Sequence, residues 1–144
     1  MRTAACWQDD DYDNEDGFDV RWMQAMVAKL CNQLLMTNDQ PPRGVAFQQI
    51  KVPQWTNTLV ENILKELALK NEEATKPDQP GQAYKYVVNA FLQQNVGAGL
   101  LTACATYGEK AMDGIASVKW QSDQLQVQVV IYGMAIYTSN SAAA

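Results

Sequence analysis

Past residue 83 the apolar positions of this 144-residue chain change their spacing, from every third or fourth residue to every second one. That switch constrains the fold more than any single motif. A period near 3.6 belongs to a helix with one buried face, and a period of two to a strand with one buried face. Before the switch, Val20, Met23, Val27, Leu30 and Leu34, with Met26 and Leu35 beside them, predict an amphipathic helix over residues 18–36. Asp16 or Asp19 stands where a helix cap belongs, at the positive end of the helix dipole. Trp55, Leu59, Ile63 and Leu67, widened by Val60 and Leu64, predict a second helix starting near Val52. Pro53 suits its first position, where no N–H is needed. Glu61→Lys65 and Glu66→Lys70 are favourable i, i+4 pairs of about 0.2–0.5 kcal/mol each and mark the solvent face. Residues 38–44 hold Pro41, Pro42 and Gly44, and residues 71–83 hold Pro77, Pro80 and Gly81, so both are loops by composition.

After the switch four strands are expected. The first covers residues 84–93, with Tyr86, Val88, Ala90 and Leu92 on one face and Val87, Asn89 and Phe91 on the other. The second covers 100–107, the third 115–120 after Asp113-Gly114, and the fourth 125–137. In the last, Leu125, Val127, Val129 and Ile131 face inward against Gln126 and Gln128. Two helices followed by four antiparallel strands make an α+β fold with the helices on one sheet face. The domain is expected over 18–138, between an acidic, disordered tail at 1–17 and a flexible, low-complexity end at 139–144.

Composition excludes more chemistry than it suggests. The chain has no histidine, so it has no Ser-His-Asp or Cys-His nucleophile system and no imidazole metal ligand. Glu61, Glu66, Glu109, Asp113 and Asp123 are scattered over helix-surface and turn positions, where solvated charge accounts for them. No catalytic residue, cofactor or metal is assigned, and a non-enzymatic protein is expected. Asp11, Asp13 and Glu15 follow a calcium-loop rhythm, but Asp16 stands at the glycine position and Trp22 at that of the bidentate acid. Cys6, Cys31 and Cys104 lack metal-ligand spacing and fit free thiols in a reducing cytoplasm. The net charge of -5 is local: seven acids against Arg2 leave -6 on residues 1–19 and +1 on the rest. A near-neutral body argues against nucleic acid or an anionic membrane as partner. No apolar run reaches the roughly 20 residues of a membrane helix, and Asp9–Asp11 interrupt any signal-peptide pattern. The first helix carries only Arg21 and Lys29 as basic residues, too few for a calmodulin target, so its Met and Trp side chains are core.

Residues 84–107 carry one ionisable group at neutral pH, Lys85. A strand followed by Gly97-Ala98-Gly99 and then by small and hydroxyl side chains suggests main-chain pairing with another chain. The glycines could instead form an anion-binding nest, but no helix start follows them, and a hinge is favoured. Trp55 and Trp120 could be ligand platforms, yet their regular spacing fits core packing. Cys104 has no basic neighbour in sequence to activate it.

Four blocks recur in order: Val52-Pro53-Gln54-Trp55-Thr56 with Val60-Glu61; Tyr84-Lys85-Tyr86-Val87-Val88; Gln94-Asn95-Val96-Gly97-Ala98-Gly99-Leu100 with Thr102-Ala103; and Ser117-Val118-Lys119-Trp120. In these blocks, from about residue 18 to 137, the chain resembles the Tctex-type dynein light chain family. The resemblance implies a non-catalytic light chain of a dynein motor in the cytoplasm and on the cytoskeleton. It further implies a two-fold dimer that exchanges a strand and holds a dynein intermediate chain segment along the sheet edge. The exchange hinge is then Gly97 and Gly99. The edge strand that takes partner and peptide is Gly99, Leu100, Leu101, Thr102, Ala103, Cys104, Ala105, Thr106 and Tyr107. Commoner members have Lys-Asn-Gly-Ala-Gly at the hinge, so one residue is inserted here, and the two loops are longer. Such divergence suggests a cilium or axoneme motor, and a homodimer or a heterodimer with a related Tctex-type light chain. The alternative is a dynein-independent adaptor or signalling regulator that binds client peptides through the same edge.

Overall fold

The computed structural model describes residues 18–78, 81–108 and 112–136. The acidic tail, the end segment at 139–144, Cys6 and the calcium-loop acids lie outside the described residues. Along the chain come α1 (Val20–Leu35), a 3-10 turn (Gln49–Lys51), α2 (Val52–Ala74), β1 (Tyr84–Gln94), β2 (Gly114–Gln121) and β3 (Leu125–Ala135). The strands form one antiparallel sheet in the order β1-β3-β2. Both helices pack on one face of it, α1 against β2 and α2 against β1. The α+β architecture is the one expected.

Local chemistry explains each helix. Of the two candidate caps, Asp19 does the capping: its Oδ1 accepts from the Trp22 N–H at 2.9 Å. The buried face of α1 is Met23, Met26, Val27, Leu30, Cys31 and Leu35. In α2, Trp55, Leu59, Ile63 and Leu67 are buried at every fourth position, and Pro53 sits in the first turn at its second residue. This helix continues to Ala74, into the stretch expected as loop, because Glu72, Glu73 and Ala74 are good helix formers despite their polarity. Lys70 lies over the Trp22 ring, its ammonium 3.9 Å from the centroid, and so ties α2 to α1. Burial lowers its pKa, while Asp19 and Glu73 oppose the shift.

The period of two sets the sheet's inner face. Rows such as Val88, Ile131, Ala116 and Ala90, Val129, Val118 run across the three strands beneath the helices. At one end of the sheet Gly114 pairs with Gly133, and a Cβ on either would collide with the ring of Phe18. Two adjacent glycines thus open a notch that buries Phe18, whose ring stands edge-on to Tyr84 at 5.6 Å and 75°. Trp55 is core and Trp120 packs against it, its Nε1–H donating to Asn32 Oδ1 at 2.9 Å.

One expectation changes. Residues 100–107, expected as the second of four strands, take no strand conformation in the single chain, and the sheet among the described residues has three. Their composition suits a strand, but a strand also needs a neighbour to bond with, and here the segment lies on no edge. Residues 84–93, 115–120 and 125–137 are found as β1, β2 and β3, with Tyr137 outside the described residues.

Candidate functional site

The side of β1 away from β3 is open, and the hydrogen bonds at its two ends show which residues face it. Ile136 N–H donates to Ala83 C=O, and Asn95 N–H donates to Gln124 C=O, each at 2.9 Å. Residues of odd number in β1 therefore bond to β3, and those of even number point their N–H and C=O outward. Tyr86, Val88, Ala90 and Leu92 present eight main-chain groups to this edge. Among the described residues, no hydrogen bond from outside the sheet reaches them. At one end Tyr84 is already occupied by Asn71, whose Nδ2–H donates to its C=O at 2.7 Å and whose Oδ1 accepts from its N–H at 3.2 Å. At the other end Val96 N–H donates to Gln94 C=O at 3.1 Å.

The opposite edge, on β2, is less receptive. Ile115, Ser117, Lys119 and Gln121 point outward there by the same alternation. Gln24 of α1 reaches over to the Ser117 carbonyl at 3.4 Å, and Lys119 adds a charge. A charged side chain and a side-chain cap are ordinary devices against unwanted pairing. On β1 the only charge is Lys85.

The arm that follows β1 is anchored at its root by Asn95. Asn95 makes three side-chain and main-chain bonds: N–H to Gln124 C=O, Nδ2–H to Ser122 C=O at 3.1 Å, and Oδ1 from Gln126 Nε2–H at 3.2 Å. Directly after it Gly97 adopts φ +76°, a left-handed backbone that favours glycine. Gly99 stands in open space, and nothing around it excludes a side chain. Of the proposed edge residues, Gly99, Leu100, Leu101, Ala103, Cys104, Ala105, Thr106 and Tyr107 are exposed and Thr102 is half-exposed. Val96 is 64% exposed, Leu101 87% and Tyr107 fully so. Apolar side chains this bare, in one continuous segment, are unusual on a chain that acts alone.

The outer sheet face lies under part of the arm. Val87, Tyr132 and Ile115 form one row across the outer face, and Asn89, Val130 and Ser117 the next. Val130 and Tyr132 are buried there, while Val87 and Met134 stay exposed. The Tyr132 hydroxyl is buried with no hydrogen-bond partner. Burial first, then the nearby Cys104 thiol, push its pKa to about 12. Burial and then Tyr84 likewise push Tyr86 to about 12. Both hydroxyls stay neutral at physiological pH. Among the described residues no three His, Cys, Asp or Glu side chains could hold a metal ion, and no helix is long and apolar enough to cross a membrane.

A sequence model of the Tctex-1 family matches residues 17–134. The chain belongs to the Tctex-1 family. It is 38% identical over 93 residues to a Drosophila melanogaster protein named dynein light chain Tctex-type, covering 65% of this chain and 75% of the relative. A Dictyostelium discoideum protein of the same name is 29% identical over 94 residues, covering 65% and 77%. A mouse protein named dynein light chain Tctex-type 3 is 24% identical over 123 residues, covering 85% and 91%. The Tctex-type light chains are non-catalytic.

For this Tctex-1 chain the sequence pointed to the arm and missed the edge beside it. The open side of β1 follows from β3 lying between β1 and β2, an order that the order of strands along the chain does not reveal. Asn71 was hidden as well, since it was assigned to a loop and stands in the last turns of α2.

Proposed function

We propose that this chain is a non-catalytic light chain of a dynein motor on the microtubule cytoskeleton. It dimerises by laying the arm of each copy, residues 100–107, on the open β1 edge of the other. The outward side of the added arm then takes a segment of a dynein intermediate chain by further strand addition. The observation that carries this is one chain holding both halves of a junction: an open edge at Tyr86, Val88, Ala90 and Leu92, and a bare arm with no partner strand. The relatives' names supply the motor.

Magnitudes show what the apolar side chains of the arm add. Eight hydrogen bonds at each of two junctions, at about 0.5–1.5 kcal/mol net apiece, give roughly 8–24 kcal/mol. Association costs an estimated 4–15 kcal/mol once, so at the weak end of these ranges the ladders alone leave little surplus. Full burial of a leucine-sized side chain adds about 1.5–3 kcal/mol. Leu100, Leu101 and Tyr107 on the arm, with Val87 and Met134 on the outer face, are the exposed side chains able to contribute it. Two copies would also present two client sites, raising affinity for paired segments.

The test is light scattering of the full chain, followed by titration with an intermediate chain segment. A dimer that binds the segment is expected. A monomer at micromolar concentration that binds none would overturn the proposal. A dimer that ignores the segment and recovers no dynein subunits from extract would point to the adaptor alternative.

A further inference from the structure

The double hydrogen bond between Asn71 and Tyr84 closes the β1 edge at one end. A neighbouring antiparallel strand bonds a residue's N–H and C=O together, through one residue of its own. The Asn71 carboxamide makes the same two bonds to Tyr84, 3.2 Å to the N–H and 2.7 Å to the C=O, and so takes the place of one strand residue. We propose that Asn71 is the register stop of the β1 edge, confining an added strand to the seven residues from Tyr86 to Leu92. This deepens the strand-addition proposal and rests on it.

The stop matters because the edge itself sets no register. Tyr86, Val88, Ala90 and Leu92 offer equivalent groups, and a strand can slip along them two residues at a time without turning its faces over. The side chains of these four residues point toward the helix side, where α2 runs alongside. Asn71 reaches the edge from α2, and Val60 and Leu64 lie one turn apart on the same flank of that helix, eleven and seven residues before it. Val60 is half-buried and Leu64 is 43% exposed, so they form an apolar shelf beside the open edge. Each slip of two residues carries a different side chain onto that shelf. Closing the Tyr84 rung decides which residue of the arm meets it. Asn71 is thus a positioning residue for strand addition. Asparagine is a poor residue for a helix interior, and here its carboxamide is committed to the strand instead.

Amide hydrogen exchange on the assembled full chain, wild type against Asn71→Ala, tests this. In the wild type, Tyr86, Val88, Ala90 and Leu92 amides should be protected by the added strand and Tyr84 by Asn71. In Asn71→Ala the strand should advance one rung, keeping the Tyr84 amide protected by about tenfold or more. Adding Ala90→Pro to that variant, to block strand addition, should release the Tyr84 amide. A Tyr84 amide that exchanges freely in assembled Asn71→Ala, while Tyr86, Val88, Ala90 and Leu92 stay protected, overturns the register stop. Free exchange at Tyr86, Val88, Ala90 and Leu92 in the wild type instead overturns strand addition itself. Should Asn71→Ala fail to keep Val129 and Ile131 protected, Asn71→Ser serves, since its short hydroxyl cannot meet both groups of Tyr84. The strand should advance to Tyr84 there too, and a freely exchanging Tyr84 amide in that assembled variant would also overturn the proposal.

Discussion

Proline at Ala90 separates the two sides of β1. The alternation fixed by the Ala83 and Asn95 bonds points the Ala90 N–H to the open edge, whereas Asn89 bonds toward Val130 of β3. Proline at 90 therefore removes nothing from the β1–β3 ladder, and the edge is where sheets accept it. On an assembled edge it deletes one hydrogen bond, about 0.5–1.5 kcal/mol, and leaves the partner's acceptor facing a ring, about 1–3 kcal/mol. The sum is about 1.5–4.5 kcal/mol per junction, and both junctions of a homodimer carry it, so about 3–9 kcal/mol is lost and the dimer should weaken roughly 100-fold or more. Sedimentation equilibrium measures the dimer constant, and thermal unfolding at a concentration where both proteins are monomeric measures the fold. Ala90→Pro should unfold near the wild type yet fail to dimerise. Asn89→Pro, the control, should lose about 3 kcal/mol or more of stability because its N–H is spent inside the sheet. Wild-type dimerisation by Ala90→Pro would refute the assignment of the β1 edge. Equal destabilisation by both prolines would refute the alternation on which it rests.

Other consequences follow from particular residues. Phe18→Ala empties the notch between Gly114 and Gly133 and should cost about 3–5 kcal/mol in chemical denaturation. Leu101→Asp, at a side chain 87% exposed, should change monomer stability by no more than about 0.5 kcal/mol while weakening the dimer in sedimentation. Ala103→Pro, on the exposed arm, should likewise spare the fold and abolish the dimer or the client site. Burial pushes the Cys31 thiol from 9.0 to about 12, so the folded state keeps its proton where the unfolded state loses it. Stability should thus be intact below pH 9 and fall as pH rises from about 9 toward 12, and Cys31→Ala should flatten the first part of that fall in pH-dependent unfolding.

The parts of this fold that were legible in sequence are those set by burial within one chain. The stripe through Met23, Val27 and Leu30, the ridge through Trp55, Leu59, Ile63 and Leu67, and the alternation of Leu125, Val127, Val129 and Ile131 each show which side faces the core. What burial does not set was not legible. Residues 100–107 have strand composition, but their pairing depends on a second backbone. Helix α2 outruns its apolar ridge because Glu72, Glu73 and Ala74 favour helix whether or not they are buried. The Asn71–Tyr84 pair joins residues thirteen apart across a loop, and a lone polar residue in a polar stretch gives no sign of such a contact.

The most direct test of strand addition is amide exchange along β1 in the associated full chain. Slow exchange is predicted at Tyr86, Val88, Ala90 and Leu92, the four residues whose N–H groups face outward. Fast exchange at these four, beside protected Asn89 and Phe91 in a protein shown by light scattering to be dimeric, would contradict it.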